Sequence, residues 1–365
     1  VLSNPFGDDN HYKEFQVNEK AWAAVNASAG DSFSSYGDAA IYFISRTGAE
    51  DGDTWFDTSK NTSDEHIDND YLNLTKNEKD TLDALISLKK NGTFKKVILV
   101  INSGTALTMK DIYPLDLDAI LWAGMGGNAS FAALYDVMSG KVNPSGRLVD
   151  TYAYNPYSAP SMANTGAYEF TRYGALPAEN RGSNSYNHAY MVYQEGIYVG
   201  YRYYETRYED TVLNKGNATA NVGVVNGKNE WKYEVLYPFG YGLSYTTFEY
   251  SSANLKKVGD DYEITVEVRN TGAVAGKTVV QAYIQKPYTE YDKTNGIEKA
   301  SVELAGYAKT GIIEPGASEP VTITVKGSEL KTYDSYNAKT YILEKGDYYF
   351  AIGFDAHDAL NNILS

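Results

Sequence analysis

The sequence predicts an α/β sandwich, a mostly parallel sheet with helices on both faces, followed by an all-β sandwich. Three observations carry that expectation. Short, almost continuous apolar runs alternate with a helical stretch in the first part of the chain, as strands of a parallel sheet do. From Phe248 onward the apolar residues switch to period two, with no helical stretch between the runs. The chain has 365 residues, more than the about 250–300 at which single cores stop growing, so two domains fit.

The elements follow in order. Residues 39–45 (AAIYFIS) read as a strand buried on both faces. After a long polar stretch, Thr75-Lys76-Asn77-Glu78 fits a capping box, in which hydroxyl and carboxylate satisfy orphan N–H groups at a helix start. Leu82, Leu85, Ile86 and Leu88 continue at helical spacing, and Gly92 suits the stop. Residues 96–101 (KVILVI) and 118–123 (DAILWA) are two further strands, and residues 131–138 the next helix, ending at Gly140. Ligands of such sheets sit beyond the carboxyl ends of the strands, which singles out the loops 46–70, 102–108 and 124–128.

In the second half, Ile264, Val266 and Val268 share one strand face, as do Val280, Ala282 and Ile284. Val321, Ile323 and Val325 follow Glu314-Pro315-Gly316, and Tyr348, Phe350 and Ile352 follow Lys345-Gly346-Asp347. Strands bounded by such turns indicate a sandwich, and without cysteine for an inter-sheet bridge the fibronectin-III-like version is expected. Residues 155–245 are rich in Tyr, Gly and Asn. They are too long for a structureless loop and too aromatic for disorder, hence an ordered connector that packs with the sandwich domain. The expected division is 1–154, 155–245, 246–354 and 355–365.

Composition excludes several functions. The 47 acidic against 32 basic residues leave a net charge of −15, which disfavours nucleic acid and anionic lipid as partners. The absence of Cys removes disulfides, thiolate metal sites and a Cys nucleophile. His11, His66, His188 and His357 show no metal-ligand spacing, and no cofactor is implied. Gly124, Gly126 and Gly127 start a G-x-G pattern that the following residues, Ser130 and Phe131 among them, do not complete. The 34 Tyr suit half-buried strands or sugar-stacking surfaces alike.

Trp122-Ala123-Gly124-Met125-Gly126-Gly127 followed by Asn143-Pro144-Ser145-Gly146-Arg147-Leu148 resembles the signature of family 3 glycoside hydrolases. Four stretches agree in order: YQEGIYVGYRYYE from Tyr193, PFGYGLSYTTF from Pro238, VRNTGAVAGKTVVQAYI from Val268 and LAGYAKTGIIEPGASEPVTITV from Leu304. The resemblance implies a retaining, exo-acting β-glycosidase, β-glucosidase being the simplest case and β-xylosidase or N-acetylglucosaminidase the alternatives. Family members combine a (β/α)₈ barrel, which supplies the nucleophilic aspartate, with the two domains expected here. No segment of this chain resembles that barrel. Asp355 to Leu364 (DAHDALNNIL) is similar to the join to a following barrel in a reversed-order subgroup, so residues 355–365 are expected to open a linker to a barrel of the same or a cleaved chain.

The resemblance also implies an acid/base. Arg46-Thr47-Gly48-Ala49-Glu50-Asp51-Gly52-Asp53 matches the family's S-G-E-G-x-D-like loop after a strand, with Glu50 at the position of the general acid/base; Ala49 and Asp51 replace glycines of the pattern. Asp51 and Asp53 would raise its pKa, as a general acid needs; Asp53 is the alternative carboxylate, and a solvated acidic loop the plainer account. Trp55, Phe56 and the Tyr-rich stretch 186–204 are candidates for sugar stacking or for packing. The expected partners are a β-linked oligosaccharide or glucoside and the barrel, with homo-oligomerisation left open. Polymeric substrates would favour secretion or the cell surface. A non-catalytic carbohydrate-binding or structural module is the competing expectation.

Overall fold

Strand β1 (Ala40–Ser45) opens a three-stranded sheet in which every pairing is parallel. It lies beside β2 (Val97–Asn102), and β2 beside β3 (Ala119–Trp122), with Ala40 opposite Val97 and Ile98 opposite Ala119. The computed structural model describes residues 19–46, 65–127, 130–163, 168–169, 189–190, 193, 195–215 and 234–365. Contacts divide the chain into two units. Unit 1 takes residues 1–134, 154–157 and 162–194; unit 2 takes 135–153, 158–161 and 195–365.

In unit 1 the continuous apolar run of β2 reflects its central place: Val97, Leu99, Val100 and Ile101 are all fully buried. β1 differs from expectation. Ala40, Tyr42 and Ile44 are buried, whereas Ile41 on the other face is 44% exposed, because β1 ends the described sheet and its second face is only partly covered. Helix α1 (Lys76–Lys90) starts at the expected capping box, Thr75 accepting from the Glu78 N–H and Glu78 from the Thr75 N–H. It buries Leu82, Leu85 and Ile86, and Gly92 follows its end at φ +85°, where a side chain would be strained. Tyr42 turns toward Thr81 of α1. Phe43, on the opposite face, packs on Phe131 of α2 (Ser130–Met138) at 5.8 Å. Since neighbouring strand residues point opposite ways, the two helices cover the two faces.

In unit 2, strands β4 (Phe248–Val258), β5 (Asp261–Asn270) and β6 (Val279–Gln285) lead the sandwich. β7 (Glu303–Lys309), β8 (Ser318–Val325) and β9 (Tyr349–Gly353) complete the two sheets, in the orders β8-β5-β4 and β7-β6-β9, all pairs antiparallel. The period-two residues form the core: Ile264, Val266, Val268, Val280, Ala282, Ile284, Val321, Ile323 and Val325 are buried together, with Tyr348, Phe350 and Ile352 packed against them. The sheets meet so closely at Gly306 that a Cβ there would lie 2.8 Å from Ile323 Cγ2.

Residues 355–365, expected to open a linker, form helix α3 (Ala356–Leu364) docked on the sandwich. Asp355 caps it by accepting from the Asp358 N–H at 2.8 Å. Ala356, Ala359 and Leu360 are fully buried against Tyr283, Val302 and Ala351. The apolar spacing of DAHDALNNIL is thus the stripe of a packed helix, and β6, whose Tyr283 points to it, is buried on both faces.

Candidate functional site

The carboxyl ends of β1, β2 and β3 gather short polar residues. Asn102 Nδ2 donates to Ser45 Oγ at 3.3 Å. Ser103 is buried and its hydroxyl is committed, donating to the Thr105 carbonyl at 2.8 Å and accepting from the Thr105 N–H at 3.1 Å. Trp122 Nε1 donates to the Ser103 carbonyl at 2.9 Å, so the loop after β2 is held by the end of β3. A Cβ on Gly104 would lie 3.0 Å from Met125 Sδ, and Met125 itself is 67% exposed at this edge. The described part of this edge offers small amides, hydroxyls and one exposed thioether. Among the described residues no group of His, Asp or Glu has the arrangement of a metal site. Glu50, Asp51, Asp53, Trp55, Phe56 and Asp64 lie outside the described residues.

What the structure does show is how the segment 47–64 is rooted. Arg46 follows β1 directly and is buried. Its Nη1 and Nη2 donate to Glu78 Oε1 and Oε2 at 2.6 and 2.8 Å. Nε donates to the Tyr71 carbonyl at 3.0 Å, Nη2 also to the Asn73 carbonyl at 2.8 Å, and Nη1 also to the Ser45 carbonyl at 3.0 Å. Glu78 is the same carboxylate that closes the capping box of α1, where the helix N-terminus favours negative charge. The far end of the segment returns to the same place. The Lys76 N–H donates to the Glu65 carbonyl at 2.8 Å, the Ile67 N–H to the Leu74 carbonyl at 2.8 Å, and His66 pairs with Thr75 as an antiparallel bridge. His66 Nδ1 lies 3.1 Å from the Asn73 carbonyl. Burial, and after it the charge of Arg46, pushes this imidazole down to about 4, so it is neutral near pH 7. Asp70 in the same turn is raised by burial, an effect partly offset by the Tyr157 hydroxyl, which donates to it at 2.6 Å.

Sequence reasoning did not single out the Arg46–Glu78 pair. Its signal was present: an arginine directly after an apolar strand, and a glutamate at the third position of a capping box. The hexapeptide at 143–148 does a different job. Within unit 2, Asn143 Oδ1 accepts from Ser244 Oγ and the Tyr245 N–H, both at 2.8 Å, while its Nδ2 donates to the Ala275 carbonyl at 3.0 Å. Arg147 donates to the Gly242 carbonyl at 3.0 Å and to Thr278 Oγ1 at 2.9 Å. Three of the stretches that carry the family resemblance are therefore stitched to one another and serve packing.

A perturbed acid–base pair lies in unit 2. Glu205 Oε2 and His357 Nδ1 share a hydrogen bond at 3.0 Å. Burial, then the charge of Asp355, holds Glu205 well above the carboxylate range, and burial pushes His357 down to about 4. Both groups are thus driven toward their neutral forms, joining the helix Tyr201–Arg207 to the first turn of α3.

The glycosyl hydrolase family 3 C-terminal domain matches residues 17–201, and the fibronectin type III-like domain matches residues 278–356. A beta-glucosidase of Ruminococcus albus is 31% identical over 326 residues, which are 88% of this chain and 28% of that protein. Beta-glucosidase A of Butyrivibrio fibrisolvens is 32% identical over 284 residues, 73% of this chain and 29% of its own length. Among solved structures, beta-glucosidase 3B from Thermotoga neapolitana in complex with glycerol aligns with a TM-score of 0.64 at 28% identity, over 89% of this chain and 37% of that one. A beta-glucosidase from Paenibacillus barengoltzii gives the same TM-score of 0.64 and 28% identity, over 89% of this chain and 29% of that one. The chain thus spans less than a third of the length of these two curated relatives. With the family's C-terminal domain matched over half of its residues, and the parallel sheet and antiparallel sandwich both in place, the chain belongs to glycosyl hydrolase family 3.

Proposed function

We infer that this chain is the portion of a retaining, exo-acting β-glycosidase that supplies its general acid/base, Glu50, while the nucleophilic Asp belongs to a barrel of the same or a cleaved chain. One observation carries the reading. In sequence Glu50 follows a parallel strand, beyond whose carboxyl end such sheets present their chemistry, and the described residues on either side, Arg46 and Glu65 to Ile67, bond to residues 71–76 at the start of α1. The relatives named as beta-glucosidases make a terminal non-reducing β-D-glucosyl residue the first substrate to test.

The chemistry follows from two carboxyl groups about 5–5.5 Å apart. Glu50, protonated, gives its proton to the departing glycosidic oxygen as the nucleophile attacks the anomeric carbon. As a carboxylate it then takes a proton from the water that hydrolyses the glycosyl-enzyme, which restores both groups and retains configuration.

Acid assistance matters most for a leaving group that departs poorly. In the full-length protein, Glu50→Gln is expected to lower kcat/KM on alkyl β-glucosides by about 10²–10⁴-fold, and on activated aryl β-glucosides far less. Equal losses on both would overturn the role of Glu50. The isolated 365 residues are expected to turn over neither substrate; normal turnover by them would refute the division of labour. Sugar binding by this chain, together with a full-length protein that carries no barrel, would favour the non-catalytic module.

A further inference from the structure

We propose that the hairpin of strands Thr332–Asp334 and Thr340–Ile342, in unit 2, is a binding site for a glycan that carries carboxylate groups. Its sugar rings stack on Tyr333 and Tyr341, and its acids meet Lys331, Lys339 and Lys345. Binding there is independent of Glu50.

Tyr333 stands directly opposite Tyr341 in the hairpin, so both side chains leave the same face. Alternation sorts their neighbours. Lys331, Tyr333, Tyr341, Leu343 and Lys345 are exposed, whereas Asp334 is buried and Ile342 and Glu344 are half-buried. Aromatic and aliphatic side chains therefore face water here: Tyr333 is 49%, Tyr341 65% and Leu343 60% exposed, and Tyr336 in the connecting loop 69%. Apolar area gathered on one exposed face marks an interaction site. The rings of Tyr333 and Tyr341 meet at 73° with centroids 5.2 Å apart, which makes a corner rather than a flat shelf.

The frame beneath the rings is tied down. Asp334 accepts from the N–H groups of Tyr336, Asn337 and Ala338 at 3.0, 2.9 and 3.0 Å, and from the Tyr291 hydroxyl at 2.7 Å. Tyr333 Oη donates to the Lys339 carbonyl at 3.2 Å, and Asn337 Nδ2 to Asn295 Oδ1 at 2.8 Å. Rings on such a frame give up little freedom when a ligand arrives. Charge then selects the ligand. Between residues 331 and 345 both carboxylates turn inward and are satisfied, Asp334 by the bonds above and Glu344 by Lys299. The three lysines of the same stretch are exposed, so this face is positive on a chain of net charge −15. An acidic partner is attracted here and repelled by the chain as a whole, which directs it to this face. The C–H face of a sugar ring packs on an aromatic ring while its hydroxyls stay in water, and tyrosine keeps its own polar tip wet in the same way. A polysaccharide bearing uronic acids supplies both the rings and the charge.

The test titrates the full-length protein calorimetrically with two soluble polysaccharides. Glucuronoxylan carries acidic branches; arabinoxylan has the same β-linked xylan backbone with neutral ones. Glucuronoxylan is expected to bind more tightly, by a margin that shrinks as salt is added. Tyr333→Ala and Tyr341→Ala, each shown folded by circular dichroism, are expected to weaken that binding about 5–30-fold. Lys331→Gln combined with Lys345→Gln is expected to bring the two glycans to similar affinity. Absence of glucuronoxylan binding, or binding that neither tyrosine substitution weakens, would overturn the proposal. Equal affinity of the unsubstituted protein for both glycans would do the same. Sedimentation velocity tests the other occupant: self-association that Tyr341→Ala abolishes, with no glycan bound, would give the face to a second copy of the chain and overturn the glycan site.

Discussion

Two buried ion clusters, one in each unit, are built on the same local motif and serve different ends. In unit 1, Arg46 grips the capping box Thr75–Glu78. In unit 2, Lys299 grips the capping box Thr289–Asp292, which starts the short helix Glu290–Asn295. Lys299 Nζ donates to Asp292 Oδ2 at 2.6 Å, to the Pro287 carbonyl at 2.6 Å, and to Glu344. The bases differ as their surroundings do. Lysine is a compact point charge that satisfies three acceptors arranged around it, whereas arginine's planar fork matches a carboxylate edge-on and still reaches backbone carbonyls. The lysine cluster knits loops of the sandwich together. The arginine cluster stands where the segment bearing the candidate acid leaves the sheet. Buried charge at a helix start thus serves as a fastening in both units.

The largest expected effects separate the two clusters. Arg46→Met leaves Glu78 buried without its partner, and Lys299→Met does the same to Asp292; each should destabilise its own unit by about 3–5 kcal/mol, read from urea unfolding. A loss well below that in either variant would break the comparison.

A pH scan sharpens it. The folded pKa of His66 is about 4 against 6.5 when unfolded, so as pH falls through that window the unfolded chain takes a proton that the folded chain refuses. The contribution is full above pH 6.5 and declines toward pH 4, by up to about 3 kcal/mol. Because Arg46 is one cause of the depression, Arg46→Met should raise the His66 pKa in an NMR titration. His357, held down to about 4 by burial, should not move. An unshifted His66 would detach its titration from Arg46.

The smallest effects concern the caps. Thr75→Ala should cost about 1 kcal/mol in thermal unfolding. Thr289→Ala should cost about 2 kcal/mol, because Thr289 Oγ1 also donates to Glu344 at 2.6 Å. Equal costs would mean that the extra bond to Glu344 contributes nothing.

Features set by neighbours in sequence were legible in it. The capping box of α1 needs only Thr75 and Glu78, and the sandwich core needs only alternation, as in Ile264, Val266 and Val268. Features set by distant partners were not. An apolar run cannot tell that β1 ends the described sheet while β2 lies in its middle, so the openness of Ile41 was invisible. Arg46 and Glu78 stand 32 residues apart, and single charged residues read as surface until a fold brings them together. The helix of residues 356–364 carried an amphipathic stripe, yet its docking depends on a receiving face spread over Tyr283, Val302 and Ala351. Glu50 was reached through resemblance and through its place after a strand, neither of which supplies a distance.

Asn143 has a consequence for anyone dividing this protein. Its single amide satisfies a serine hydroxyl, a tyrosine N–H and an alanine carbonyl that lie more than a hundred positions downstream. A sandwich expressed from residue 246 alone would leave the Ala275 carbonyl and Thr278 without the partners that Asn143 and Arg147 provide. The natural seam for scissors is therefore not the point where the strands begin; it falls ahead of the hexapeptide that holds them.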